Sequence, residues 1–340
     1  MLSLNKLATG RTAGILASAV MCFAALQPMM AQRCTLQDLG NLPGADFSLA
    51  NGINNRGQIV GQSGTHAFLY KKGVMSDLGT LGGATSTANS INVRGQIVGQ
   101  ADTKAGNSHA FLSINGVMKD LGTLGGPNSA AYGIDDEGTI VGQADTATGA
   151  SHAFVYDDGV MTDIGVLPGG NFSVAYAVNS SGQVVGTSGT ATGFHSFIYE
   201  DGVLSDLGTP ADSDNSEAFG INEFGEVVGY SQTAAGTDTR GFIAVDGVTT
   251  DLGTLGGDSS TASSINNRGK IVGYSSIGTG ELHAIQYKGR STVDLGTFKG
   301  GKQSLALGIN DLGQVIGYGT TSTGSSHAFV CTPKAGRDRD

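Results

Sequence analysis

AAYGIDDEGTIVGQADTATGASHAFVYDDGVMTDIG, from Ala130 to Gly165, decides the fold. It reads as four short strands with two tight turns. Ala130 to Ile134 is the first strand, and Asp135-Asp136-Glu137-Gly138 turns the chain. Asp at the first turn position accepts a backbone hydrogen bond, and Gly at the fourth tolerates a left-handed conformation. Thr139 to Gln143 is the second strand, rich in β-branched residues. A loop from Ala144 to Ser151 leads to a third strand, His152 to Tyr156. Asp158-Gly159 supplies the positive φ of a two-residue hairpin, and Val160 to Ile164 closes the unit. No segment of useful length has helical periodicity.

The unit recurs. DLG, or its near copy DIG, begins at Asp38, Asp77, Asp120, Asp163, Asp206, Asp251 and Asp294, at spacings of 39, 43, 43, 43, 45 and 43. An Asx-x-x-Gly turn recurs in step at Asn54, Asn92, Asp135, Asn179, Asn222, Asn266 and Asn310. HAF or a relative begins at His66, His109, His152, His195, Arg240, His283 and His327. Four strands in about 43 residues, repeated, is the period of propeller blades. A single blade cannot bury both of its faces, so blades must stack around an axis. A β-helical solenoid is the rival, but its coils are shorter and lack two tight hairpins per repeat. The expectation is therefore all-β, a seven-bladed β-propeller with four antiparallel strands per blade.

The ends predict how the ring closes. The DLG strand at Thr35 to Leu39 has no HAF strand before it, and the HAF strand at His327 to Cys331 has no DLG strand after it. Each completes the other, so the N-terminal strand belongs to the last blade. In complete blades the fifth HAF residue and the fourth residue before the DLG Asp, such as Tyr156 and Gly159, occupy the ends of a β-turn. Such positions lie within ~7 Å, which overlaps the reach of a disulfide. In the split blade they are Cys331 and Cys34, and a bond between them is expected.

The N-terminus reads as an export signal. Lys6 and Arg11 precede an apolar run from Ala13 to Leu26, followed by a polar break ending at Ala31. That run is too short for a membrane span, and no other stretch approaches one. The expected division is a signal peptide over 1–31, the propeller over 32–332 and a polar tail over 333–340. Export places the chain in the periplasm, at the cell surface or outside, where a disulfide persists. Glycine, at 56 of 340 residues, far exceeds the usual share, yet no three-residue period suggests collagen. A formal charge of −10 argues against nucleic acid or an anionic membrane as partner.

HAFLYKKGVMSDLGTLGG (His66 to Gly83), INVRGQIVGQ (Ile91 to Gln100) and HAFLSINGVMKDLGTLGG (His109 to Gly126) resemble the extracellular repeat proteins of the HAF family. The likeness covers residues 36–331 and implies export and a repeat architecture. It brings no activity, substrate or catalytic residue. Arg240-Gly241-Phe242, His283-Ala284-Ile285 and the stretch from Thr209 to Glu217 depart from the pattern.

Residues repeated in every blade are structural first. The six histidines and the DLG aspartates are expected to pair within blades, and the Asx residues to serve their turns. No nucleophile elbow, zinc spacing or free catalytic thiol is visible, so no catalytic residue is assigned. The short hairpins share one face of the ring, leaving the longer loops on the other, where binding normally resides. There the fifth blade departs from the others through Asp212, Asp214 and Glu217 and through Arg240 beside Asp238. These five are the candidate ligand-binding residues. Asp212, Asp214 and Glu217 could hold Ca²⁺ through carboxylate oxygens, against the plainer reading of a solvated acidic loop paired with Arg240. The function expected is an exported, monomeric, non-enzymatic binding scaffold for a peptide, surface polymer or envelope protein. The alternatives are a hydrolase or lyase acting on an extracellular polymer, or a purely structural surface protein.

Overall fold

The computed structural model describes residues 34–210, 213–233, 238–289 and 291–333. The expected signal peptide and the tail from 334 onward lie outside these residues. Within them the chain forms seven four-stranded antiparallel sheets, the blades of a β-propeller. Strands are lettered a to d from the axis outward. Blade three is built from Gly125–Ile134, Ile140–Thr146, Ser151–Asp157 and Val160–Gly165, each longer than its repeat pattern suggests. Blade seven takes strands a to c from Ser304–Ile309, Val315–Thr320 and Ser326–Cys331, and strand d from Leu36–Asp38. The expected exchange of the N-terminal strand is thus present, with Leu36 opposite Cys331. Cys34 and Cys331 form the expected disulfide, with Cα atoms 5.6 Å apart.

The turns follow the chemistry of their residues. Asp158 and Gly159 have φ of 47° and 86°, the left-handed pair of a two-residue hairpin. Asn54 Oδ1 accepts the N–H groups of Arg56 and Gln58, each at 3.0 Å, and so fixes the a–b turn from inside.

The core lies between blades. Phe68, Phe111, Phe154, Phe197, Phe242 and Phe329, the aromatic of each HAF strand, are fully buried, and Ile285 takes that place in blade six. Phe154 of blade three packs with Val98 and Ala110 of blade two. Strand b crosses strand a closely enough that a Cβ on Gly142 would land on the carbonyl oxygen of Ala130. Glycine is therefore required there on steric grounds.

Two sets of polar bonds join the blades, and the sequence pattern revealed neither. A buried serine opens the core of each strand a. Ser129 Oγ accepts the Ala110 N–H at 2.8 Å and donates to the Gly122 carbonyl at 2.5 Å, both in the preceding blade. Ser48 does the same across the closure, to Ala328 and Gly40. Nearer the hairpin face, the turn asparagines reach sideways. Asn92 Nδ2 donates to the Asp135 carbonyl at 3.0 Å, Asn266 Nδ2 to the Asn310 carbonyl at 2.9 Å, and Asn310 Nδ2 to the Asn54 carbonyl at 3.0 Å, which carries the relay across the closure. The Asp135 side chain has no N–H to give, so this relay lacks a link between blades three and four. The asparagines thus do more than serve their own turns.

Candidate functional site

Every strand a carries a β-bulge at one place in its register. In blade three, Ala131 faces Gly142 and Gly133 faces Val141, which leaves Tyr132 unpaired. A bulge adds one residue to a strand and re-aims its side chain. The bulged residues are Asn51, Asn89, Tyr132, Tyr176, Phe219, Ser263 and Leu307, one per blade, and together they line an axial cavity of about 210 Å³. At this ring of positions the blades differ from one another. Blades one and two put Asn51 and Asn89 there, and both donate to carbonyls of the next blade. Blades three to five put aromatic rings there.

Those rings form a continuous wall. Tyr132 and Tyr176 have centroids 5.5 Å apart, Tyr176 and Phe219 5.3 Å, and Phe219 and Tyr230 of strand b 5.7 Å. Tyr230 also donates its hydroxyl to Glu217 Oε1 at 2.9 Å. Glu217 lies opposite Tyr230 in the register, two residues before Phe219, toward the loop face. Burial holds its carboxyl above the usual carboxylate range, and the Tyr230 hydrogen bond opposes that only in part. Burial also raises Tyr132, Tyr176 and Tyr230, and the Glu217 charge pushes the last two further up, so all three phenols stay neutral at ordinary pH. Among the described residues no Lys, Arg or His lies within ion-pair distance of Glu217. Ser263, the bulged residue of the neighbouring blade six, also lines the cavity and has its Oγ buried without a hydrogen-bond partner.

The five residues expected as a ligand site are dispersed. Asp212 lies outside the described residues. Asp214 is exposed at the start of its strand. Arg240 pairs with Asp238 at 3.7 Å and donates to the carbonyls of Thr239 and Asp258. Among the described residues no hydrogen bond or ion pair joins that pair to Asp214 or Glu217. Glu217 does not line the cavity itself; of the five, it alone touches the aromatic wall, through Tyr230. No group of three acidic, His or Cys side chains among the described residues gathers to hold a metal ion.

The histidines behave as expected. His109 Nδ1 meets Asp120 Oδ2 at 2.8 Å, and five other blades repeat the half-buried pair, including His327 with Asp38 across the closure. The other oxygen of Asp120 accepts the Gly122 N–H at 2.8 Å, shaping the start of the linker to the next blade. At the hairpin face a second axial opening, about 220 Å³, is ringed by Asn55, Asp136, Glu223, Asn267 and Asp311. Their side chains accept neighbouring backbone N–H groups, as Asp136 does from Val93 and Asp311 from Asn267. This ring is committed to holding turns.

The aromatic wall escaped the repeat analysis, although its signal lies in the sequence. The residue three positions before each turn Asx is the bulged one. Aligning the seven units puts two tyrosines and a phenylalanine in that otherwise mixed column.

No protein-family model matches the chain, and no curated protein matches it. Solved structures match it by shape. The β-propeller domain of the Trilobed protease from Pyrococcus furiosus, described as having an open velcro topology, aligns at a TM-score of 0.57 and 9% identity, over 84% of this chain and 95% of that one. A puromycin-hydrolyzing peptidase of Mycobacterium tuberculosis aligns at 0.54 and 12% identity, over 91% of this chain and 53% of that one. TolB from Acinetobacter baumannii aligns at 0.46 and 10% identity, over 70% of this chain, which spans 63% of TolB. At such identities the likeness establishes the β-propeller fold alone.

Proposed function

We propose that this protein is an exported binding scaffold that takes its ligand into the loop-face mouth of the axial channel. Residues 1–31 direct export, 32–332 form the propeller and 333–340 a polar tail. The Cys34–Cys331 disulfide supports an oxidising compartment, periplasmic or extracellular. One observation carries the reading. The residues that build the blades repeat, whereas the bulged residues on the axis diverge, with Tyr132, Tyr176 and Phe219 clustered beside Glu217. Packing alone supplies no reason for that asymmetry, because Asn, Ser and Leu fill the same position in other blades. A hydrolytic reading needs two carboxylates free to act across one space. Asp136 and Asp311 spend oxygens on backbone N–H groups at the opposite mouth. Asp214, Asp238 and Arg240 then stand on the approach to the channel and tune entry.

The test is a binding screen of purified residues 32–340 against cell-surface glycans and envelope proteins. Tyr176→Ala is run beside Arg268→Ala, a control at an exposed hairpin-face residue. The expected result is a ligand whose affinity falls in the first variant and not in the second. Binding undiminished by Tyr176→Ala removes the channel from the account.

A further inference from the structure

We propose that the loop-face mouth of the axial channel recognises a primary alkylammonium group, with the Glu217 carboxylate beside the cavity as its counter-ion and the rings of Tyr176 and Phe219, which line the cavity, against its methylene stem. The proposal rests on the channel reading above and names the ligand chemistry for that site.

Four observations point the same way. Glu217 is half-buried against aromatic rings, takes one hydrogen bond from Tyr230, and has no cationic partner among the described residues. A carboxylate withdrawn from water and left unpaired is costly, and an incoming cation removes that cost. Aromatic faces attract cations within about 6 Å of the ring centre, and the Tyr176 and Phe219 rings, 5.3 Å apart and tilted edge to face at 68°, place aromatic surface beside Glu217. An ammonium carries three donors and no acceptor, so it needs acceptors besides the carboxylate. Four buried hydroxyls among the described residues lack partners, and two of them, on Thr187 and Ser263, belong to the blades flanking blade five. Ser263 Oγ lines the cavity. Thr187, 3% exposed, occupies in blade four the register position of Gln62 in blade one. Gln62 accepts the hydroxyl of Thr87 from the following blade, and the residue matching Thr87 in blade five is Glu217. Finally, a cavity of about 210 Å³ lies below the roughly 300–1,000 Å³ of sites for drug-sized molecules. It fits one extended alkyl chain, and a chain of net charge −10 draws cations toward it.

Such a group comes either from a lysine side chain or from a free amine. Calorimetric titration of purified residues 32–340 separates the two with N-acetyl-lysine methylamide and 1,5-diaminopentane as probes. N-acetyl-norleucine methylamide serves as the uncharged control. The expected result is saturable binding of at least one amine and none of the control. Glu217→Gln should weaken it roughly tenfold or more, which is about 1.4 kcal/mol. Phe219→Leu, which preserves an apolar side chain, should weaken it as well, and both variants are checked for an intact thermal transition. Absence of saturable amine binding, equal binding of norleucine, or indifference to Glu217→Gln each overturns the proposal. If the glycan and protein screen yields a ligand sensitive to Tyr176→Ala while neither amine binds, the alkylammonium inference falls and the binding function stands. If amines bind but Tyr176→Ala changes nothing, both fall.

Discussion

Replacing Cys34 and Cys331 together by alanine removes a link between positions 297 residues apart in the chain. In the loop-entropy model the unfolded chain then regains freedom that grows with the logarithm of loop length, about 5.7 kcal/mol for a loop of this size. Native disulfides in practice contribute roughly 2–5 kcal/mol. Little in the folded ring should offset the loss. The closing strand keeps its ladder, from Leu36 opposite Cys331 to Asp38 opposite Phe329. It also keeps the Leu39 N–H on the Ala328 carbonyl at 3.0 Å and the His327–Asp38 pair at 2.8 Å. We therefore expect a loss of about 3–5 kcal/mol, toward the upper part of the observed range. With ~2.1 cal/mol/K of unfolding entropy per residue over roughly 300 residues, each kcal/mol moves Tm by about 1.6 °C, so the variant should melt roughly 5–8 °C lower. Scanning calorimetry with and without reductant measures this. Reductant should reproduce the shift in the wild type and do nothing to the variant. Hydrogen exchange should show residues 36–38 opening ahead of the other outer strands. A double variant that melts within about 1 °C of wild type would refute the reasoning.

Ser129→Ala strands the Ala110 N–H and the Gly122 carbonyl in a buried seam, so urea denaturation should register a loss of about 1–3 kcal/mol. Asp135→Asn supplies the amide missing from the asparagine relay, with the Asn179 carbonyl as its acceptor. The same measurement should show a gain of about 0.5–1.5 kcal/mol, and any loss contradicts the relay. Glu217 makes a pH prediction. Burial raises its folded-state affinity for a proton, so the native state binds more protons than the unfolded chain between the unfolded value of ~4.3 and the raised folded one. Stability must fall as pH rises through that window and stay lowered above it. Glu217→Gln should therefore melt higher than wild type at neutral and alkaline pH, with the advantage disappearing in acid. A constant difference across pH would assign the effect to packing instead.

Much of the ring was legible because its landmarks are local. Turn residues announce themselves through φ and Asx chemistry, and the offset between Cys34 and Cys331 follows from one hairpin missing its loop. His109 and Asp120 were readable as partners for the same reason: a hairpin brings two adjacent strands together at a fixed offset. The bonds between blades were not readable. A repeated Ser129 or Asn92 says that every unit needs that residue, but not that its partner sits a whole unit away. The cavity wall was hidden by the bulge. Strict alternation would assign Tyr132 a face by counting, and one extra residue breaks the count. Glu217 was singled out for its charge among acidic neighbours, whereas the structure sets it apart from them by bonding it to Tyr230 of the aromatic wall.

The exchanged strand also constrains how the molecule comes into being. Leu36–Asp38 is the earliest strand of the ring to be synthesised, and its hydrogen-bonding partner, Ser326–Cys331, is the last. Blades one to six can assemble in order as the chain emerges, but the first strand must wait idle for nearly the entire chain. Closure is then a single late event, sealed by formation of the disulfide, and an unfinished polypeptide retains a loose leading end.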